Sequence, residues 1–262
     1  RLRVGGNRFR APTLDRLLTL ILFRLGLMGR QEFHLFRGIL RPGMTVLDVG
    51  ANQGVFTLYC ADRVGPTGKV IAFEPDPEMF SALEANVKAN GKTWVELHNL
   101  AVGAQEGKVG FRISRLNRGD NRLVLTAQPA VETAPVRVAA LDQLLGGRKV
   151  DVVKMDVQGW EGAVLRGMTG LLAAPNPCWI LLEIWPDALR KAGSSYAEVI
   201  ETLQRHGYSL CQADARRTAL DPKKLSRLKG LLGYTNVLAV PPLTHQGPRD
   251  HQTARTTGPP DH

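Results

Sequence analysis

The sequence predicts an α/β fold in which helices cover both faces of a doubly wound, mostly parallel β-sheet. Short apolar runs that are typical of buried strands alternate with segments whose apolar residues recur at helical spacing. The first such strand of the predicted sheet leads through a glycine-containing turn, residues 50–54, into a helix. A polar residue stands at the end of five predicted strands: Asp48, Glu74, Asn99, Asp156 and Glu183. Because ligands bind beyond the carboxyl ends of the strands in such sheets, these side chains predict where the site lies.

The N-terminal segment, residues 1–43, is predicted to be irregular over its first twelve residues and helical over residues 13–40. Residues 1–45 contain nine arginines against Asp15 and Glu32, and the whole chain has a formal net charge of +10. Such charge is typical of a solvated face, which we favour, or of a surface that binds anionic membranes or nucleic acid. Peripheral membrane contact through this basic helical segment stays an alternative, and a nucleic-acid partner is not favoured.

Residues 44–240 are predicted to form the α/β domain. Its predicted strands are residues 44–49, 69–73, 94–98, 150–156, 179–184, 208–211 and 236–240. Its predicted helices are residues 53–62, a segment that begins at Asp76-Pro77, residues 141–145, a segment after Trp160, and residues 196–206. From residue 241 the composition turns to proline, glycine, histidine, arginine and threonine, so residues 241–262 are expected to be a disordered tail.

Residues 102–138 interrupt this alternation, because no helical spacing is visible there and residues 107–114 alternate between apolar and polar instead. The pattern predicts a β insertion that carries a polar loop. Loops positioned by a rigid scaffold often contact substrates. We therefore predict that Asn117, Asp120 and Asn121 contact the acceptor, although a plain surface turn is equally consistent with these residues.

The turn at residues 50–54 indicates which cofactor the domain binds. A dinucleotide site requires G-x-G-x-x-G, whose second glycine admits a pyrophosphate, but the position two after Gly50 is Asn52. S-adenosylmethionine (SAM) has no pyrophosphate, and its amino and carboxylate groups suit Asp48, main-chain N–H groups and a polar turn. A short-chain dehydrogenase also needs Tyr-x-x-x-Lys, which none of the four tyrosines provides. The pattern therefore favours SAM, with Glu74 positioned for its ribose hydroxyls.

Several motifs in combination resemble the FkbM family of SAM-dependent methyltransferases, over about residues 32–240. They are residues 46–56, Phe73-Glu74-Pro75, residues 99–103, Leu141-Asp142, residues 153–161 and residues 182–186. The resemblance implies a class I methyltransferase (Rossmann-like) fold and O-methylation of a hydroxyl on a sugar, polyketide or related secondary metabolite. Many family members carry glutamate where this chain has Gln158, and a different aromatic residue at Trp160.

The resemblance also implies roles for individual residues. Asp48, Gly50, Asn52 and Gly54 would hold the methionine part of SAM, and Glu74 would hold the ribose. The adenine would be bordered by Asn99 and Ala101. The complete predicted cofactor set is Asp48, Gly50, Ala51, Asn52, Gly54, Phe56, Glu74, Pro75, Asn99, Ala101 and Asp156.

Methyl transfer from a sulfonium requires that the acceptor be aligned and lose its proton. Asp156 is the first candidate for the base, because it follows a buried strand and is expected to face the methyl group; helix capping is the alternative. Glu161 either points into the site or complements the helix dipole. Glu183 with Asp156 could form a two-carboxylate Mg²⁺ site, although we favour a hydrogen-bonded acid at a strand end.

Gln158, Trp160 and Trp185 are predicted to contact the acceptor, with core packing an equal alternative for the two rings. The sequence thus predicts a SAM-dependent O-methyltransferase that acts on a hydroxyl of a small molecule or glycan. The alternatives are an RNA methyltransferase and a SAM-binding module without catalysis. The three cysteines are scattered without a C-x-x-C pair, which suggests a reducing compartment, hence a cytoplasmic location, and no structural zinc.

Overall fold

The computed structural model describes residues 2–112, 122–124, 133–214, 216–225, 227–228 and 233–242. In chain order the strands are β1 Leu2–Val4, β2 Asn7–Phe9, β3 Thr45–Val49, β4 Lys69–Phe73, β5 Val95–His98, β6 Ala101–Val102, β7 Gly107–Arg112, β8 Arg122–Val124, β9 Thr133–Ala139, β10 Val152–Met155, β11 Trp179–Ile184, β12 Ser209–Gln212 and β13 Thr235–Val240. The helices are α1 Leu14–Arg24, α2 Arg30–Ile39, α3 Val55–Val64, α4 Pro77–Ala89, α5 Leu141–Leu145, α6 Glu161–Arg166, α7 Thr169–Leu172, α8 Pro186–Lys191, α9 Tyr196–Arg205 and α10 Pro222–Leu225.

The central sheet has seven strands in the order β5-β4-β3-β10-β11-β13-β12. Neighbouring strands from β5 to β11 run parallel, and β13 lies antiparallel to both β11 and β12. The chain adds β4 and β5 on one side of β3 and then crosses back to place β10 and β11 on the other. The predicted α/β fold is therefore confirmed as the doubly wound class I methyltransferase arrangement. The direction of winding changes between β3 and β10, which is where such sheets bind their ligands.

Both faces of this sheet are buried. On one face Val46 of β3 packs in a cluster with Phe36 of α2 and Ala61 of α3. On the other face Leu47 of β3 belongs to a cluster that includes Leu141 of α5 and other residues of α6 and α9. The continuous apolar runs of the sequence follow from this burial, because a parallel strand covered on both faces has no solvent side for polar residues.

The N-terminal segment contains a hairpin that the sequence reasoning missed. β1 and β2 pair antiparallel with Leu2 opposite Phe9 and Val4 opposite Asn7, so residues 1–12 are not irregular as expected. The connection is Gly5-Gly6, and both residues have positive φ, at 56° and 89°. This is the geometry of a two-residue hairpin turn, for which Gly-Gly is a sequence signal. The predicted helical stretch at residues 13–40 contains α1 and α2.

The β insertion forms a separate four-stranded sheet in the order β6-β9-β7-β8. Three predicted acceptor contacts, Asn117, Asp120 and Asn121, lie outside the described residues. Within the part of the chain that the structure describes, no helix combines the length and apolar character needed to cross a bilayer.

Candidate active site

The glycine turn after β3 touches the segment that follows β10. The N–H groups of Gly50 and Ala51 both donate to the carbonyl oxygen of Phe73, each at 3.0 Å, which fixes the turn against the end of β4. Gly50 has φ of 82°, and a Cβ at this position would lie 2.0 Å from the carbonyl oxygen of Asp156. Glycine is therefore required, both for its backbone conformation and for the close approach of the two segments.

Asp48 lies beneath this turn and not on its surface. The side chain is fully buried, and its Oδ2 accepts a hydrogen bond from Thr57 Oγ1 at 2.6 Å. Lys154 Nζ stands 3.3 Å from Asp48 Oδ1 and donates to the carbonyl oxygen of Gly50 at 3.1 Å. Through these partners the carboxylate of Asp48 supports the turn from below. Its direct contact with the amino group of SAM stays a prediction.

Lys154 connects the turn to the segment after β10, where the acceptor is predicted to bind. Its ammonium lies 3.7 Å from Asp156 Oδ2 in addition to its contact with Asp48. Burial alone would lower the pKa of Lys154, but the nearby carboxylates of Asp48 and Asp156 outweigh burial and raise that pKa above its ordinary value. The lysine therefore stays charged and holds β3 and β10 together at the edge where the winding reverses.

Glu74 joins the end of β4 to the turn. Its Oε2 accepts from the N–H of Asn52 at 2.7 Å, and its Oε1 accepts from the N–H of Asp76 at 2.9 Å. The residue is 6% exposed, and burial raises the pKa of its carboxyl group to about 7 despite the two backbone donors. Asn99 donates to the carbonyl oxygens of Glu74 and Pro75, at 2.8 and 3.3 Å, so these predicted cofactor residues form one connected rim.

The turn is also held from the N-terminal side. Asn52 adopts a left-handed conformation with φ of 51°, and its Oδ1 accepts from the N–H of Gln53 at 2.8 Å. Arg16 of α1 reaches the same oxygen at 3.4 Å, and its carbonyl accepts from Gln53 Nε2 at 3.2 Å. Asn86 of α4 donates to the carbonyl of Gln53 at 2.9 Å. The N-terminal helix is therefore part of the wall of the predicted cofactor crevice.

Phe56 and Ala101 do not line this crevice as openly as predicted. The ring of Phe56 packs against those of Phe23, Phe33 and Phe36, with centroids 5.8, 4.9 and 5.9 Å away. Lys154 Nζ lies 5.1 Å from the centroid of the Phe56 ring. Phe56 thus anchors the N-terminal helices to α3, while Ala101 is buried in the core.

Two carboxylates meet at the ends of β10 and β11. Gln158, with φ of 52°, donates from its Nε2 to Asp156 Oδ1 at 2.9 Å and to Glu183 Oε1 at 3.3 Å. The suggested Mg²⁺ between these acids is not supported, because a side-chain amide stands between them. The described residues also contain no group of three or more His, Cys, Asp or Glu that could hold a metal ion. Burial raises the pKa of Glu183 well above its ordinary value, and the negative charges of Asp156 and Glu161 raise it further.

The carboxyl group of Glu161 holds the loop before α6 in place, and its part in the reaction stays a prediction. It is almost completely buried, and its Oε1 accepts from the N–H groups of Val157 at 3.4 Å and Gly159 at 3.2 Å. Its Oε2 has no hydrogen-bond partner among the described residues. Burial raises the pKa of Glu161 to about 7, and the negative charge of Asp156 adds to this effect.

The two tryptophans are core residues. Trp160 is 5% exposed and Trp185 is 7% exposed, so neither ring offers a face on which an acceptor could stack. A Cβ on Gly103 would lie 3.2 Å from Trp160 Nε1, which shows how closely the insertion packs on this ring. Both rings pack in the core, as the core-packing alternative expects, and their contact with an acceptor stays a prediction.

Sequence reasoning missed Glu32, which reaches the site from α2. Asn236 of β13 donates from its Nδ2 to Glu32 Oε1. Burial raises the pKa of Glu32, and the negative charge of Asp156 adds to the rise. Tyr234 lies near the same acids. Burial raises the pKa of its hydroxyl, and the negative charges of Glu183, Glu32 and Asp156 raise it further. Neither residue belongs to a strand-end motif, and 204 positions separate Glu32 from Asn236, so local pattern could not have found them.

A model of the FkbM methyltransferase domain matches residues 48–210. The chain is 26% identical over 144 residues to Methyltransferase 1 of Beauveria bassiana (strain ARSEF 2860), an alignment that covers 47% of this chain and 57% of that protein. It is 29% identical over 140 residues to the hexuronic acid methyltransferase AglP of Haloferax volcanii, with 52% and 54% covered. It is 27% identical over 224 residues to the 31-O-demethyl-FK506 methyltransferase FkbM of Streptomyces tacrolimicus, with 69% and 83% covered. The chain therefore spans little more than half the length of the first two relatives.

Proposed function

The chain belongs to the FkbM methyltransferase family, and we propose that it transfers a methyl group from SAM to a hydroxyl group of a small molecule or glycan. The observation that carries this proposal is the contact between the Gly50 turn and Asp156, which brings a cofactor-binding rim against a cluster of carboxylates. Two of the relatives bear names that specify a demethylated oxygen and a hexuronic acid, which supports an oxygen acceptor on a small molecule or a sugar.

The residues of the cofactor rim, which are those of the glycine turn and the end of β4, fit SAM. Each oxygen of Glu74 accepts one backbone N–H and keeps a second lone pair, so the carboxylate can take two ribose hydroxyls without giving up the turn. Gly50 and Gly54, both with positive φ, let the main chain approach the methionine part, while Asp48 and Lys154 hold that main chain from below. When bound, SAM supplies a methyl group that a sulfonium has already activated.

Asp156 is the residue that we assign to the acceptor's proton. Its side chain is 40% exposed, whereas Glu161 is buried, so Asp156 can reach an acceptor in the crevice. Gln158 and Lys154 hold its two oxygens from different sides, which fixes the carboxylate before an acceptor arrives. With its raised pKa, Glu183 is protonated near neutral pH and can donate a hydrogen bond to an acceptor oxygen.

The charge of the crevice bears on the class of acceptor. Among the described residues, the carboxyl groups of Glu32, Asp156, Glu161 and Glu183 interact with one another around Lys154. A polyhydroxylated neutral acceptor can donate hydrogen bonds to such groups. The positive side chain of this cluster, Lys154, is already paired with Asp48 and Asp156, so it is not free to hold a phosphate backbone, and this side of the site gives no support to the RNA methyltransferase alternative.

The test is transfer of the labelled methyl group of SAM to a panel of glycosides and hydroxylated small molecules, with bulk RNA as a rival acceptor. Product masses identify the acceptor class. We expect Asp156→Asn to lower kcat by about 100-fold, the lower end of what general-base catalysis contributes. The control is the SAM dissociation constant of the same variant, measured by calorimetry. It should stay within about twofold of the wild-type value, because turnover and SAM binding depend on separate interactions.

Three results would count against the proposal. Undiminished turnover of Asp156→Asn would remove the assignment of the base. Methyl transfer to RNA that falls steeply with added salt would favour the nucleic-acid alternative. Tight SAM binding without transfer to any hydroxyl acceptor would instead indicate a binding module.

A further inference from the structure

The outer side of α1 and the loop that follows it expose an unusual amount of apolar surface. Apart from Tyr234, all exposed large hydrophobic side chains of the described residues belong to this stretch: Leu14, Leu17, Leu18, Ile21, Leu25, Leu27 and Met28. We call these seven residues the α1 apolar surface. Leu14 is 81% exposed and Leu27 is 69% exposed. Contiguous apolar surface of this kind on a folded domain marks a site of contact with another molecule or a membrane.

The arrangement of α1 is that of a helix lying flat on the domain. Leu14, Leu18, Ile21 and Leu25 follow one another at steps of three and four residues, so they share one side of the helix. The opposite side is fixed to the domain by Leu20, which is fully buried, together with the Arg16 contacts to the glycine turn. The exposed stripe is therefore a stable feature of a docked helix and not the face of a helix that has come loose.

Arginines predominate around the α1 apolar surface, although α1 itself also carries Asp15. Arg24 ends α1 and Arg30 begins α2, and both are exposed. The neighbouring hairpin, which packs against α1, exposes three further arginines: Arg3, Arg8 and Arg10. The carboxylate of Glu32 does not offset them, because it is turned toward Asn236 on the acceptor side of the domain. An apolar stripe bordered by arginines complements a surface that is apolar below and negatively charged above.

We propose that the α1 apolar surface binds the surface of an anionic phospholipid bilayer, with its leucines among the acyl chains and the flanking arginines at the headgroups. A second copy of the chain is the rival occupant, and the vesicle experiment below distinguishes the two. The C-terminal residues 243–262 offer little to cover the stripe, since Leu243 is their single large apolar residue. This inference goes beyond the proposed methyl transfer and does not depend on it.

Docking at this surface would place lipid and cofactor on opposite sides of one helix. Arg16 points inward to Asn52 of the cofactor turn, while Leu14 and Leu18 point outward. One helix therefore separates the α1 apolar surface from the turn at residues 50–54.

The test is sedimentation of the protein with vesicles of phosphatidylcholine alone and of phosphatidylcholine mixed with phosphatidylserine, without SAM or acceptor. We expect binding to the mixed vesicles that weakens as salt rises, because exposed charges are screened. The double variant Leu14→Ser/Leu18→Ser should bind at least about tenfold more weakly, since two leucine side chains that would be buried among the acyl chains are replaced by polar ones. Arg24→Glu/Arg30→Glu should remove the preference for the anionic vesicles.

The matched control is Lys191→Glu/Lys224→Glu, which makes the same change in net charge at exposed positions of α8 and α10. It should bind like the wild-type chain, and circular dichroism should show that all three variants are folded. The proposal is overturned if the wild-type chain ignores anionic vesicles, or if both charge variants weaken binding equally. It is also overturned if the leucine variant abolishes a lipid-independent dimer and leaves vesicle binding intact. Because no cofactor is present, a negative result would leave the methyl-transfer proposal standing.

Discussion

Replacing Glu161 by glutamine should remove a specific part of the pH dependence of stability. The buried carboxyl group has a pKa raised to about 7 from an ordinary value of 4.5, chiefly by burial. Because the folded state holds the proton more tightly, the stability from this group is complete below pH 4.5 and is lost as the pH rises toward 7. The glutamine amide keeps an acceptor oxygen, carries two N–H donors in place of the single O–H of the protonated acid, and does not ionise.

The magnitude follows from the two pKa values. At about 1.4 kcal/mol per pH unit between them, ionisation of Glu161 costs the wild-type chain about 3 kcal/mol by pH 8. We therefore expect the free energy of unfolding of Glu161→Gln to exceed that of the wild type by an amount that grows by about 3 kcal/mol between pH 4.5 and pH 8. Urea denaturation followed by tryptophan fluorescence at several pH values in this window measures the difference.

The control is Glu84→Gln, an exposed glutamate of α4. Its unfolding free energy should run parallel to that of the wild type at every pH. If the curves for Glu161→Gln and wild type are also parallel, the carboxyl group does not sit in the environment described. If Glu161→Gln shows the expected pH dependence of stability but also loses turnover, Glu161 takes part in the reaction as well.

Two further predictions concern the cofactor rim and its support. Glu74→Gln should weaken SAM binding by at least about tenfold in calorimetry. The ribose loses a charged acceptor, and one side-chain oxygen no longer receives the N–H of Asn52 or Asp76. Unchanged affinity would refute the assignment of the ribose site. Lys154→Met should lower the free energy of unfolding by about 3–5 kcal/mol, because it leaves the buried Asp48 carboxylate without its counter-charge. A loss below about 1 kcal/mol in urea denaturation would mean that other groups neutralise Asp48.

The rim of the site was predictable because parallel strands bring distant residues to one edge. Glu74 and Asn99 were placed beyond strand ends by the apolar runs before them, and they hydrogen-bond to each other's segments in the structure. Asp156 and Glu183 likewise meet at the ends of adjacent strands, where Gln158 bridges them. In each case the order of the strands was enough to predict that these residues lie close together, because their proximity is set by the path of the backbone.

Side-chain depth was not predictable in the same way. Asp48, Glu161, Trp160 and Trp185 occupy positions next to the crevice in sequence, yet each is turned into the domain. A single sequence gives the face of a strand, but it does not tell whether the residue after the strand points outward or back beneath a turn. Glu32 was missed for a different reason, since its place in the site depends on how the N-terminal helices dock on β13.

The close approach of Gly50 to Asp156 has a consequence for any substitution of this glycine. A Cβ at position 50 would lie 2.0 Å from the carbonyl oxygen of Asp156, so a larger residue would have to push the two segments apart. A substitution in the predicted cofactor turn would thereby also displace the residue that we assign to the acceptor's proton.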